Sequence, residues 1–188
     1  SPVYKVAPIQ DLEGDPRYTV EIGWVRGLFP KSGLKSEFIE QYEGVGNWQS
    51  RFGLTLFYFK KGDFFAGFLY ERIFAFWSYS PKYRTREGLG AGNTLGDFRE
   101  AWYVPTRLEL EQYSERHVIF IPLVTEQGGN EVALCVPAFR KEAFRKSGFK
   151  APHIGLLVKW PYDHGRLDHI GPDTIVNGLR ISDIPDPR

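Results

Sequence analysis

Thr85 to Tyr103, T-R-E-G-L-G-A-G-N-T-L-G-D-F-R-E-A-W-Y, decides how the rest of the chain is read, because several local signals agree within it. Gly88, Gly90 and Gly92 stand close together and lead into Asn93 and Thr94. Glycine admits backbone conformations that side chains disfavour, and Asn93 or Thr94 can set a side-chain oxygen on the free amides of a first helical turn. The stretch predicts a strand exit, a tight turn and a short capped helix. With Thr94 as cap, Asp97 falls three residues on, a weak capping box, and Phe98 and Trp102 are placed on one helical face at i, i+4 spacing.

Composition narrows the class. A chain of 188 residues can bury roughly 70% of its unfolded surface, enough for a core. Hydrophobic residues at 42% and aromatics at 16%, with 15 Phe, 10 Tyr and 5 Trp, argue against disorder and for a sheet-containing globule. The 24 basic and 23 acidic residues leave a net charge of +1, without the electrostatic footprint of a nucleic-acid binder. No apolar run reaches the roughly 20 residues of a membrane-spanning helix. The longest approach, Phe64 to Trp77, is broken by Glu71 and Arg72. Cys135 is the single cysteine, so no intrachain disulfide and no cysteine-built zinc site can form. Its place in Val132 to Val136, an apolar strand-like run, reads as a buried, inert thiol. The chain starts Ser-Pro-Val-Tyr and holds no methionine. That start is expected to be a processed end, left by a removed signal peptide or lipoprotein anchor, or a tag remnant.

Outward from the glycine turn, residues 1 to 17 read as an extended lead-in and Tyr18 to Leu28 as a first strand, by alternation of Val20, Ile22 and Trp24. Leu34, Phe38, Ile39 and Tyr42 stand at helical spacing, with Gly44 and Gly46 as the stop. Phe52 to Phe59 and Asp63 to Tyr70 predict a hairpin about Lys60 to Asp63, and Arg72 to Ser80 a third strand. Pro105 to Glu115 is polar and ambiguous. His117 to Thr125 and Asn130 to Val136 predict a second hairpin, Ala138 onward a weakly focused helix, Ile154 to Trp160 a strand, and Thr174 to Ile181 a last strand. A strand, glycine turn, aromatic helix and hairpin occur in each half. An internal duplication over roughly residues 18–71 and 72–136 is therefore one reading.

Thr85, Gly88, Leu89, Gly92, Thr94, Phe98 and Trp102 resemble a pattern of bacterial exported and lipoprotein domains: a strand, then T-x-x-G-(apolar)-x-x-G-(small)-(S/T), then a short amphipathic helix. The pattern is similar to repeats of the outer-membrane assembly lipoprotein BamE and of the β-lactamase inhibitory protein. It covers fewer than 20 of the 188 residues, and Trp102-Tyr-Val-Pro105 departs from the usual helix end. The resemblance implies an α+β exported binding or scaffolding domain, and no catalytic residues travel with it.

Three constellations bear on chemistry. The glycine turn is a candidate anion cradle, but it lacks the spacing of the dinucleotide and P-loop fingerprints and is read as a structural turn. Asp163, His164, Asp168 and His169, in D-H-G-R-L-D-H, form the one dense set of metal-ligating or acid–base types; the alternatives are a divalent-metal site and a solvated loop. Trp48, Trp77, Trp102 and Trp160 are candidates for a ligand groove or protein interface, against the reading that strand-spaced aromatics are core.

These observations predict a single α+β domain over residues 1–188, a mostly antiparallel sheet with short helices packed on one face. The expected function is that of a non-catalytic exported protein, periplasmic or at the cell surface. It would bind a partner protein or an apolar ligand through exposed aromatic residues, without a cofactor. A metal-assisted hydrolase using His164, Asp168 and His169, and an inhibitor or immunity-type protein, are the alternatives.

Overall fold

A computed structural model describes residues 18–19, 34–49, 53–110, 120–123, 131–160 and 170–182. Tyr18–Thr19 forms β1, the described part of the first expected strand. The helix expected from Leu34 forms as α1, Lys35–Tyr42, and buries Phe38 and Tyr42. Its stop differs from expectation. Glu43, at φ 53, takes the left-handed position that ends the helix, and Gly44 and Gly46 instead belong to a strand, β2, Gly44–Gln49. Gly44 is required there because an added Cβ would lie 2.6 Å from the Phe59 ring.

The hairpin about Lys60 to Asp63 is present as β3, Leu54–Phe59, and β4, Phe64–Leu69, paired from Leu54↔Leu69 to Phe59↔Phe64. Tyr70, at φ 55, turns the chain into β5, Arg72–Ser78. Then come β6, Tyr83–Arg84, parallel to β1, and α2, Leu95–Arg99. Because α2 stops after Arg99, Trp102 does not share a helical face with Phe98; it lies in β7, Trp102–Tyr103. A further helical turn at 107–110 starts from Thr106, whose Oγ1 accepts from the Glu109 amide at 3.2 Å while Glu109 Oε1 accepts from the Thr106 amide at 3.2 Å. This reciprocal box resolves part of the stretch that read as ambiguous.

The second hairpin is β8, Phe120–Leu123, against β9, Glu131–Arg140. β9 runs past Pro137, so the helix expected from Ala138 begins only at Lys141, as α3, Lys141–Ser147. Pro137 is accommodated because β8 pairs with residues 131–134 and β7 with residues 139–140, leaving the proline between the two pairings. β10, His153–Trp160, and β11, Gly178–Ser182, complete the sheet.

Nine strands join in the order β2-β3-β4-β5-β11-β10-β9-β7, with β8 on the same edge of β9 as β7. Every pairing in this sheet is antiparallel. The α+β expectation thus holds coarsely, with the sheet dominating. The order also shows two four-stranded meanders, β2 to β5 and β8 to β11, that meet through β5 and β11. A division before residue 72 would cut β5 from its own meander.

One face of the sheet carries Phe59, Phe64, Phe68, Phe76, Leu134, Val136, Ile154, Leu156, Leu179 and Ile181, all buried with Phe38 and Tyr42 of α1 and Leu95 and Phe98 of α2. Phe38 meets Phe68 edge-on at 5.4 Å and Tyr42 meets Phe64 at 5.7 Å, arrangements that favour tilted aromatic packing. Burial of the Tyr42 ring pushes its phenol up to about 12, against a hydrogen bond from Gln41 that works the other way.

The glycine turn seats α2 on this core. Thr94 and Asp97 form the full reciprocal box. The backbone from Gly92 to Gly96 is laced to the segment leading into β11: the Gly92 amide donates to Val176 O, Leu95 to Thr174 O and Gly96 to Pro172 O, at 2.8, 3.0 and 2.9 Å. Gly90 and Gly96 permit close approach, since a Cβ would lie 2.6 Å from Tyr83 O and 3.0 Å from Pro172 O respectively. Gly92 is required for a different reason: its φ is +99 while no atom lies within 4 Å of an added Cβ.

Gly92→Ala is therefore expected to lose on the order of 1–2 kcal/mol through backbone strain alone, and Thr94→Ala about 1 kcal/mol through the cap. Urea unfolding measures both. A Gly92→Ala protein as stable as the parent would contradict the assignment of this turn.

Candidate functional site

The glycine turn offers no anion cradle. Its amides are consumed by the protein: Gly88 donates to Thr85 O, Leu89 to Thr85 Oγ1, Gly90 to Asn93 Oδ1, Gly92 to Val176 O, Asn93 to Gly90 O and Thr94 to Asp97. An anion would have to displace these acceptors, which are already in place.

What the turn does present is Glu87. Its carboxylate pairs with Arg140 at the end of β9 and accepts from Trp102 Nε1 at 3.3 Å, while the Arg140 guanidinium lies 3.9 Å from the Trp102 ring centroid. Trp102 is 3% exposed. It is an internal residue held by a carboxylate and capped by a cation, and it presents no ring to a partner. Beside it, Tyr103 stacks on Phe144 of α3 at 3.7 Å and donates to Glu109. Burial, then the Glu109 hydrogen bond, push the Tyr103 phenol up to about 12.

Trp77 also lies inside, but behind the sheet, on the face opposite α1 and α2. Cross-strand pairs put one row of residues there: Tyr58↔Phe65, Phe65↔Trp77, Trp77↔Arg180 and Arg180↔Gly155. Phe65 and Trp77 stack at 5.6 Å with their planes 5° apart, and Tyr58 and Tyr79 tilt against Phe65 at 4.9 and 5.9 Å. Ala75, Ala133, Cys135 and Leu157 complete a second buried apolar cluster. Gly155 makes space in it, because the Cys135 sulfur leans over that residue where a Cβ would stand.

This apolar face holds polar atoms without partners. Trp77 Nε1, Tyr79 Oη and Arg180 Nε are buried and make no hydrogen bond. Arg180 is 8% exposed, and among the described residues no carboxylate pairs with it. Its described polar neighbours are the Cys135 thiol, to which it is hydrogen-bonded, and the Tyr79 phenol. Each such orphan costs about 1–3 kcal/mol, and more for a charged group. Burial pushes the Cys135 thiol up despite the hydrogen bond and charge of Arg180. Cys135 is a protonated, enclosed thiol, unsuited to attack. The Tyr79 phenol is likewise raised, first by burial and then by Cys135, with Arg180 opposing.

Register places Trp48 opposite Leu56 and Trp160 opposite Val132. Asp163, His164, Asp168 and His169 lie outside the described residues. Among the described residues, no group of three His, Cys, Asp or Glu side chains is placed to hold a metal ion, and no helix is long and apolar enough to cross a membrane. Arg180 gave no sign of itself in the sequence. In G-L-R-I-S an arginine between Leu179 and Ile181 reads as the outward position of a half-buried strand. The available signal was the unbroken apolar character of Phe64 to Phe68 and Ala133 to Val136, the mark of strands covered on both faces.

No family model and no curated protein matches the chain. Among solved structures it is similar to the uncharacterized protein YfeY from Escherichia coli, at 10% identity and a TM-score of 0.45, over 82% of this chain and 92% of that one. A likeness at that level carries no argument about function.

Glu87 supplies a pH test. Partial burial pushes its carboxyl up, but hydrogen bonds from Arg140, Thr85 and its own amide, with the Arg140 charge, outweigh this and hold it below the ordinary value of 4.5. A carboxyl lowered in the folded state stabilises the fold above its unfolded value and loses that contribution as pH falls through the folded one. The stability gap between the parent and Glu87→Gln should be full above about pH 4.5 and shrink toward zero as pH drops below it. Urea midpoints from about pH 7 down to about pH 3 measure it, and a gap independent of pH would contradict the pairing.

Proposed function

We propose that the chain is a non-catalytic binding protein that holds an apolar ligand against the sheet face formed by Phe65, Trp77, Tyr79 and Leu157. The observation that carries this reading is the second aromatic cluster, on the side of the sheet away from α1 and α2. A sheet needs one apolar face to fold against its helices, and the first cluster fulfils that need. The second combines stacked aromatic rings with buried donors that lack acceptors, a makeup typical of small-molecule sites, which are mainly apolar with a few placed polar groups. Phe65 and Trp77 are 8% and 4% exposed and Leu157 is fully buried, so a ligand reaches them by displacing atoms now packed on this face.

The exported setting, periplasmic or at the cell surface, belongs to the same proposal and rests on the resemblance of Thr85 to Trp102 to exported domains. Binding rather than catalysis is favoured by the chemistry of the face: its one nucleophile, Cys135, is held as a thiol by burial, and no base accompanies it among the described residues.

A neutral, environment-sensitive fluorophore, N-phenyl-1-naphthylamine, tests the reading. Saturable binding with one site per chain is expected. Phe65→Leu removes a stacking ring at small cost to the core and should weaken binding several-fold with the near-UV circular dichroism otherwise retained. Absence of saturable binding to the parent protein would remove the proposal.

A further inference from the structure

Residues 140–150, R-K-E-A-F-R-K-S-G-F-K, hold five cations and one carboxylate, a net charge of +4 in a chain whose total is +1. The rest of the chain is therefore net negative, by three charges. The segment is α3 with the residue before it and the turn after it, Gly148–Lys150. Its apolar side is occupied: Phe144 stacks on Tyr103 at 3.7 Å and tilts against Phe139 and Phe149 at 5.3 and 5.2 Å. With Ala143 and Phe144 facing inward, helical geometry turns Lys141, Glu142, Arg145 and Lys146 outward. All four are exposed, and so is Lys150.

Contacts within the fold absorb little of this charge. Arg140 is engaged by Glu87 and Trp102, but the cations that follow it are not held in that way. Lys141 Nζ donates to the Glu100 carbonyl at 2.7 Å, which leaves its charge unneutralised. Lys146 and Glu142 lie 3.4 Å apart with side chains 73% and 71% exposed, a pair that water screens to little worth. Among the described residues no carboxylate pairs with Arg145 or Lys150. A helix favours cations in its last turn, which accounts for Arg145 and Lys146. Lys141 stands in the first turn, against that preference, and Lys150 lies beyond the helix.

The helical turn at 107–110 stands beside this face, because Tyr103, stacked on Phe144, donates to Glu109. Arg107 is exposed there and Leu108 is 65% exposed. Cations on a surface helix with apolar groups beside them have the makeup of interfacial segments, in which the charges meet lipid headgroups and the apolar groups the acyl boundary. An acidic protein would answer the cations. A bilayer answers the cations and Leu108 together.

We propose that this face, Lys141, Arg145, Lys146 and Lys150 with Arg107 and Leu108, docks the protein on a bilayer containing anionic phospholipid. The cations lie on the headgroup phosphates and Leu108 enters the acyl boundary. Docking is peripheral and electrostatic, so it weakens as salt rises.

Cosedimentation of the full chain with lipid vesicles tests this. At low salt, vesicles with about one third phosphatidylglycerol should bind at least tenfold more protein than vesicles of phosphatidylcholine alone, and the binding should fall steeply as salt approaches the physiological range. Arg145→Glu combined with Lys150→Glu should reduce it at least tenfold, and Leu108→Ser several-fold. These side chains are exposed, and thermal unfolding verifies that the variants fold. Lys60→Glu with Lys61→Glu makes the same change in net charge on exposed residues of the β3–β4 turn and should leave vesicle binding near the parent value. Equal binding to the two kinds of vesicle would overturn the proposal. So would an equal loss in the Lys60/Lys61 variant, which would trace binding to net charge rather than to this face. Capture of poly-glutamate without capture of anionic vesicles would overturn it in favour of an acidic protein partner.

Discussion

The pairing of β5 with β11 is the constraint on which the rest of the structure depends. Four residue pairs, from Leu179↔Ser78 to Ser182↔Ala75, join the meander β2 to β5 to the meander β8 to β11. On the helix side this junction brings Phe76 beside Ile181, continuing a core that runs from Phe59 to Val136. On the far side the same register sets Trp77 against Arg180. A shift by one residue would send Arg180 into the helix-side core and Leu179 to the other face. The fold and the candidate site are thus two consequences of one register.

The Thr85 to Tyr103 stretch protects that register from outside the sheet. Its amides donate to Val176, Thr174 and Pro172, the residues that carry the chain into β11. Glu87 reaches across to Arg140 at the end of β9. A turn with the composition of an anion site has become a clamp between distant parts of the second meander. The difference lies in what its amides face: carbonyl and carboxylate oxygens of the same chain.

Local periodicity made α1, the β3–β4 hairpin, β5, α2 and β10 legible, because each is signalled by its own residues. The Thr94–Asp97 cap was legible for the same reason. β2 was not: G-V-G-N-W-Q has the composition of a loop and becomes a strand through its pairing with β3. The extension of β9 through Pro137 depends on which neighbours line its edge, and a local window holds no such information. Trp77 and Trp102 could be singled out as unusual residues. Their destinations, one behind the sheet and one under Arg140, follow from strand order and helix length. Arg180 was hidden because burial of the second face is a tertiary fact, and a charged residue on a strand is ordinarily a solvated one. Asp163, His164, Asp168 and His169 lie outside the described residues.

Backbone hydrogen exchange across the β5–β11 junction tests the central claim most directly, that two meanders are fused into one cooperative sheet at the place where Trp77 and Arg180 meet. The account predicts that the protected amides of residues 76–78 and 179–181 exchange only through global unfolding, with the same opening free energy as β4 and β10. Exchange of one meander at a markedly lower free energy than the other, with the junction amides opening alongside it, would contradict it.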